Sequence, residues 1–296
     1  MKPMSQDAYN LGFEYQARAN TVLGVNFVRT NLLRTIEDIG TLINGSETYI
    51  YGNPGEGLAE TAFTTGLTSP FVMPKAERSY TALEFTANRR FNNNWFLGGS
   101  YVVSRLYGNY NGLVNTDEVT YPGRVSTVSQ QSAGQRTRPG TNASRAWDLD
   151  QMMFDSHGDF VYGRLPTDRP HVVKVYGSYL FGFGTNVGLN FYGGSGTPIS
   201  ETIQTTSGVP VFPEGRGNLG RTDALTQTDL LVSHEFRLGG GDKRLRLEFN
   251  GLNIFNQQQV RHVMDNLNRI GANGRRLVSS GIDLTHTDLQ SGYNYN

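Results

Sequence analysis

The stretch Arg244–Asn256, RLRLEFNGLNIFN, alternates apolar and polar residues through its first half. Leu245, Leu247 and Phe249 fall on one side of a strand and Arg246, Glu248 and Asn250 on the other. A soluble sheet would bury the Leu/Phe row in a protein core and wet the charged row. A membrane barrel would turn the apolar row to lipid and the charged row to a wet interior.

The same period of two recurs in about eight segments, which fall into four pairs. In the first pair Tyr9, Leu11, Phe13 and Tyr15 lead through a turn at Arg18–Asn20 to Leu23, Val25 and Phe27. In the second, Thr81, Leu83, Phe85 and Ala87 turn at Asn92–Asn94 and return through Leu97, Gly99, Tyr101 and Val103. In the third, Val173, Val175, Tyr179 and Phe181 turn at Gly182–Gly184 into Val187, Leu189 and Phe191. The fourth runs Thr228, Leu230, Val232, His234 and Phe236, turns at Gly239–Asp242, and returns as the quoted stretch. If Leu238 and Lys243 flank that turn, Glu235 lies opposite Arg246 and Ser233 opposite Glu248; in the third pair Ser178 meets Gly188 and Tyr176 meets Asn190.

Within pairs the connections are short; between pairs they are long. Glu37–Lys75, Leu106–Arg169 and Ile199–Ala224 far exceed an ordinary loop and are rich in Gly, Ser, Thr, Asn and Pro. Short turns on one rim and long loops on the other describe a transmembrane β-barrel. Aromatics gather near the short turns (Tyr15, Phe91, Trp95, Phe181, Phe183, Phe236) and near the long loops (Tyr9, Tyr80, Tyr107, Tyr110), as girdles at two bilayer interfaces would. Ordinary aromatic core packing is the competing explanation. The expected fold is therefore all-β: an antiparallel up-and-down barrel portion of about eight meandering strands, with short periplasmic turns and long extracellular loops.

Composition narrows the function classes. The 296 residues carry 26 basic and 26 acidic side chains, so no charge surplus exists to drive nucleic-acid binding. With no cysteine, neither a disulfide framework nor a thiolate metal site can be built. No apolar run is long enough for a helical span, and no secretory h-region follows Lys2.

Several stretches resemble the barrel half of TonB-dependent outer-membrane receptors, in particular the Oar-like group that carries a carboxypeptidase-regulatory-like domain before its plug. They are NLGFEYQARANTVLGVNFVRT (10–30), YTALEFTANRRFNNNWFLGGSYVVSRLYGNYNG (80–112), LPTDRPHVVKVYGSYLFGFG (165–184), GGSGTPIS (193–200), TQTDLLVSHEFRLGG (226–240) and RLRLEFNGLNIFNQ (244–257). The resemblance implies a bacterial outer-membrane location, lipid around the barrel, an N-terminal plug pulled by the TonB system, and an extracellular solute of unknown identity. It implies no enzyme activity and no cofactor. Set against that family's barrels of about twenty-two strands, residues 1–296 are expected to be a partial barrel without plug, signal peptide or terminal aromatic-ended strand, and alone either to fold poorly or to close in a way unlike the family. The alternatives are a small complete outer-membrane pore or adhesin barrel, and a secreted soluble β-sandwich binding module.

Candidate site residues follow from the strand parity. Glu14, Glu84, Lys174, Asp229, Glu235, Arg246 and Glu248 form the expected lumen-facing set, with Arg246 answering Glu235. Asp148, Asp150, Asp155 and Asp159, with His157, form a weak calcium candidate whose spacing does not fit the twelve-residue calcium loop; solvated acids on a loop explain it more simply. GRGNLG (215–220) spells a dinucleotide fingerprint but lacks the strand before it and the helix after it. DRPH (168–171) and Ser195 suggest a catalytic constellation, yet no nucleophile motif accompanies them, and Pro170 is better read as the start of a strand with His171 at the rim. The sequon at Asn142 carries no information in a bacterial outer membrane.

Overall fold

The computed structural model describes residues 1–43, 46–57, 73–112, 147, 153–204, 210–239, 243–260 and 263. Eight long strands form one antiparallel meander: β1 (Ser5–Arg18), β2 (Thr21–Arg34), β5 (Arg78–Asn92), β6 (Trp95–Gly108), β8 (His171–Leu180), β9 (Thr185–Gly194), β12 (Leu225–Arg237) and β13 (Arg244–Gly251). Between them lie the hairpin β3 (Glu37–Ile43) with β4 (Ser46–Gly52), the short strand β7 (Gly163–Arg164) on β6, and the small pair β10 (Ile203–Gln204) and β11 (Pro210–Val211). Among the described residues β1 and β13 pair on one side only.

The four short turns all lie at one end. Asn93 and Asn94 take left-handed φ of 50° and 69°, the pair of positive values a tight hairpin needs and Asn tolerates better than other side chains. In the β8–β9 turn Phe181 N–H donates to Thr185 O at 2.8 Å, and in the last hairpin Leu238 N–H donates to Lys243 O at 3.0 Å. Each closure goes with the expected register of its own hairpin: Glu235 opposes Arg246 and Ser233 opposes Glu248 in the last, and Tyr176 opposes Asn190 and Ser178 opposes Gly188 between β8 and β9.

Because pairing is in phase from strand to strand, alternation within each strand becomes a face shared by all eight. One row across the sheet is Phe13–Val25–Phe85–Tyr101–Val173, and another is Leu97–Gly177–Leu189–Leu230. Little of this face is covered by protein: Phe85 is 42% exposed, Leu97 46% and Leu189 45% in the middle of the sheet, and Phe13 69% and Phe249 62% on the edge strands. A soluble sheet would bury such a continuous apolar face, since exposed patches on soluble monomers are a few hundred Å² at most. The face ends near the short turns in a chain of ring contacts, Tyr179–Phe181 at 4.8 Å, Phe181–Phe183 at 5.3 Å and His234–Phe236 at 4.3 Å, with Arg89 stacked 3.9 Å over Trp95.

At the other end the expected aromatic girdle needs correcting. Tyr9 and Tyr107 share the parity of the apolar face, but Tyr80 pairs with Leu106 on the opposite face. Tyr110 is 1% exposed and belongs to a buried cluster beneath the long connections. The largest fully buried side chains, Trp147, Tyr110, Phe212, Met73, Leu165, Ile203 and Val211, all lie in these connections or their short strands. The described parts of the long connections therefore form a cap with a core of its own, while the described wall of the sheet has none on its apolar side.

Candidate functional site

In-phase pairing also gathers the polar residues. Glu14, Gly24, Thr86, Ser100, Lys174, Tyr192 and Gln227 form one cross-sheet row, and Asn26 opposes Glu84 in the next. Asp229 opposes Asn190 and receives a 3.2 Å bond from its Nδ2, together with 2.9 Å bonds from Gln227 Nε2 and the Asn253 N–H. The seven charged residues selected by parity thus share one face of the sheet.

Their pairing differs in one respect from expectation. Glu235 accepts from Arg244 at 2.8 Å, and Arg246 pairs along its own strand with Glu248 at 3.1 Å while donating to Ser233 at 3.3 Å. Directly opposed residues are neighbours, but a diagonal partner is also within reach of a long guanidinium. Arg244 is that diagonal partner for Glu235.

Two recesses lie on the polar face. One, about 310 Å³, is lined by Thr86, Asn88, Ser100, Lys174, Tyr176, Asn190 and Tyr192. The other, about 340 Å³, shares Tyr176 and Asn190 and adds Phe96, Asp229, Leu231 and Asn250. The Tyr176 ring lies over Gly98, directly opposite it, where a Cβ would come within 2.5 Å of Tyr176 Cζ. Glycine at that position lets the phenol lie flat against the wall. Among the described residues Lys174 has no carboxylate partner, so this recess combines one free ammonium with amide and phenol groups.

The cap above is clamped by Asp168, whose side chain is 0% exposed. One oxygen accepts from the Leu106 N–H at 2.6 Å, and the other accepts from Arg164 at 3.1 Å and from Arg221. Arg221 also donates to the carbonyls of Asp168 and Gly196 at 3.0 and 2.9 Å. One carboxylate thereby ties the end of β6, the entry to β8 and the β9–β12 connection together. Pro170 precedes β8, as expected, and its carbonyl accepts from Ser104 N–H at 2.8 Å. No hydrolytic triad forms: Ser195 Oγ accepts from the His171 main-chain N–H at 3.1 Å, and the His171 ring contacts Tyr101 Oη at 2.9 Å through Nδ1.

A second tie holds the amino-terminal residues. Asn53 exchanges hydrogen bonds with the main chain of Lys2 at 2.7 and 2.9 Å, and Glu56 pairs with Arg34 at 3.0 Å, Lys2 at 3.5 Å and Lys75 at 3.8 Å. The hydrogen bond from Arg34 leads the effects that hold the Glu56 carboxyl below its ordinary value. A lowered folded-state value means stabilisation that is present above the unfolded value and lost as pH falls through the folded one. The protection factor of the Glu56 amide, bonded to Asn53 O at 3.0 Å, should be steady near neutrality and fall only below about pH 4; a protection factor unchanged down to pH 3 would contradict this role. Burial, then Glu77, pushes the Tyr162 phenol up to about 12, and burial with a bond to Glu37 raises Tyr110. Both phenols stay neutral hydrogen-bonding groups inside the cap.

GRGNLG occupies a turn-rich loop with left-handed Gly215, Gly217 and Gly220 and no helix following, so it lacks the N-terminus a pyrophosphate would need. Asp155 accepts from the His157 and Asp159 N–H groups at 2.9 and 3.0 Å, closing its own turn. Asp148, Asp150 and Asn142 lie outside the described residues. The β3–β4 hairpin falls in what the sequence alone reads as a long loop, yet it carries a legible signal: Asn44-Gly45 between short segments rich in β-branched and aromatic residues.

Fold and surface together define a class: an all-β antiparallel meander with one uncovered apolar face, one polar face and a folded loop cap at a single end. The chain is 29% identical over 271 residues to the TonB-dependent transporter Oar of Myxococcus xanthus, a match covering 89% of this chain. It spans 22% of the length of that relative. No family model matches. The similarity supports a relationship to TonB-dependent receptors.

Proposed function

We propose that residues 1–296 form part of the wall and extracellular loops of a bacterial outer-membrane receptor barrel, which takes up a solute with energy relayed through TonB to a plug elsewhere in the protein. The apolar face meets lipid, the polar face lines a wet lumen, and the cap with its adjoining recesses meets the solute. Lys174, Glu14, Glu84, Asp229, Glu235, Arg246 and Glu248 are lumen residues in this reading, and the chain does no covalent chemistry.

The observation that carries this reading is the apolar face running in register across eight strands with its side chains uncovered. Its height fits a bilayer. From Arg105 to Trp95 along β6 is about ten residues, or roughly 34 Å of strand, and a tilt of about 45° reduces this to about 25 Å, the height of an outer-membrane apolar band. Beyond it lie Arg89 over Trp95 at one end and Arg105 over Tyr107 at the other, polar-aromatic pairs suited to the two interfaces. With β1 and β13 each paired on one side, further strands of the full-length protein would complete the wall, because lipid offers no partner to a bare strand edge.

Fractionation of a Gram-negative host expressing the full-length protein tests the assignment. The protein should sediment with outer membranes and require detergent for release. Folded protein in the aqueous fraction without detergent would overturn it and favour a soluble sandwich.

A further inference from the structure

On the apolar side of the sheet, the last uncovered rows before the loop cap are Leu11–Phe27–Leu83–Val103 and then Tyr9–Arg29–Thr81–Arg105. The second row changes the chemistry. Arg29 and Arg105 point to the same side as the leucines and phenylalanines beneath them, two strands apart across Thr81, hence about 10 Å from each other. Both are exposed, and among the described residues neither forms an ion pair. Arg29 Nε donates to Asn31 Oδ1 at 3.3 Å, and Arg105 lies 4.3 Å over the Tyr107 ring. The neighbouring groups on this side are Asp7, a diagonal neighbour of Arg29, with Ser79 and Asn31 above, and His171 opposite Val103.

We infer that this row is a docking surface for anionic, phosphate-bearing lipid headgroups of the leaflet at the loop end, as distinct from zwitterionic ones. The inference rests on the lipid-facing reading of the sheet, and what it adds is a recognised headgroup. Two guanidiniums that form no ion pair among the described residues, placed where an apolar band gives way to a polar rim, are expensive against neutral lipid. Against anionic headgroups they are favourable, and each planar fork matches a phosphate. The hydroxyls of Thr81 and Ser79 and the amide of Asn31 supply further donors beside them. The occupant is a lipid rather than free phosphate because its acyl chains would lie on Leu11, Phe27, Leu83 and Val103, directly below the charged row.

The test uses the full-length protein reconstituted into vesicles of phosphatidylcholine alone or doped with a phosphorylated glycolipid, followed by mass spectrometry of lipids retained after mild detergent extraction. Wild type should retain the phosphorylated lipid over phosphatidylcholine. Arg29→Gln with Arg105→Gln should lose that retention by about thirtyfold, whereas Arg18→Gln with Lys243→Gln, equal in charge at the opposite rim, should not. Equal retention by wild type and the Arg29/Arg105 variant, with both inserted, would overturn the inference and leave the barrel reading intact. Failure of wild type to insert into either vesicle would instead overturn the barrel reading and, with it, this surface. Inorganic phosphate that displaced no retained lipid would support a headgroup held together with its chains; complete displacement by inorganic phosphate alone would count against it.

Discussion

Replacing Asp168 with Ala should loosen the cap while leaving the wall intact. The carboxylate is fully buried, accepts from the Leu106 main chain and neutralises Arg164 and Arg221, whose side chains are 44% and 26% exposed. Removing one partner of a buried ion pair leaves the others desolvated and uncompensated, a loss of about 3 kcal/mol. Partial exposure of both arginines places the effect at the lower end of the usual range. Limited proteolysis of the membrane-inserted protein should then cut within residues 155–170 or 210–224, with β8, β9 and the other wall strands still protected; a protection pattern identical to wild type would show that Asp168 is not the clamp. Asp168→Asn keeps an acceptor for Leu106 but not the charge, and should fall between the two.

The second large effect concerns the two faces. Val25 sits in the middle of the apolar row Phe13–Val25–Phe85, and Asn26, the next residue, opposes Glu84 on the polar face. Val25→Arg should cost about 2–4 kcal/mol near the bilayer midplane and sharply reduce the amount of protein assembled in the outer membrane. Asn26→Arg, the same side chain one residue along, gains Glu84 as a neighbour and should assemble at close to wild-type levels. Equal tolerance of both, or the reverse order, would contradict the assignment of faces.

Much of the wall was legible because both determinants are local. Alternation set the faces, and turn chemistry at Asn92–Asn94 and around Gly182–Gly184 set the hairpins. Since a one-residue slip would reverse every side chain, the Leu238–Lys243 closure was enough to place Glu235 opposite Arg246. What alternation could not determine was side-chain choice among near neighbours: Glu235 took the diagonal Arg244 and left Arg246 to Glu248.

The cap was far less legible. Asp168 looked like half of a catalytic pair or a plain strand-entry residue. Its real partners, Arg164 and Arg221, come from four residues before it and from another connection altogether. Tyr110 looked like an interfacial ring because it follows β6 closely, but its burial depends on Trp147, 5.7 Å away between ring centres and remote in sequence. Long-range contacts among aperiodic segments leave no repeating trace. The β3–β4 hairpin was the exception, because its pairing is local.

Whether odd-numbered residues of β2 face lipid and even-numbered ones face water can be measured directly. The chain contains no cysteine, so single cysteines can be placed in turn at positions 22 to 28, spin-labelled in the full-length protein freed of any other cysteine, and examined in liposomes for collisions with oxygen and with a water-soluble nickel chelate. Positions 23, 25 and 27 should favour oxygen and positions 22, 24, 26 and 28 the nickel chelate, in strict alternation. Uniform access of nickel to all seven, or alternation in the opposite phase, would contradict the account.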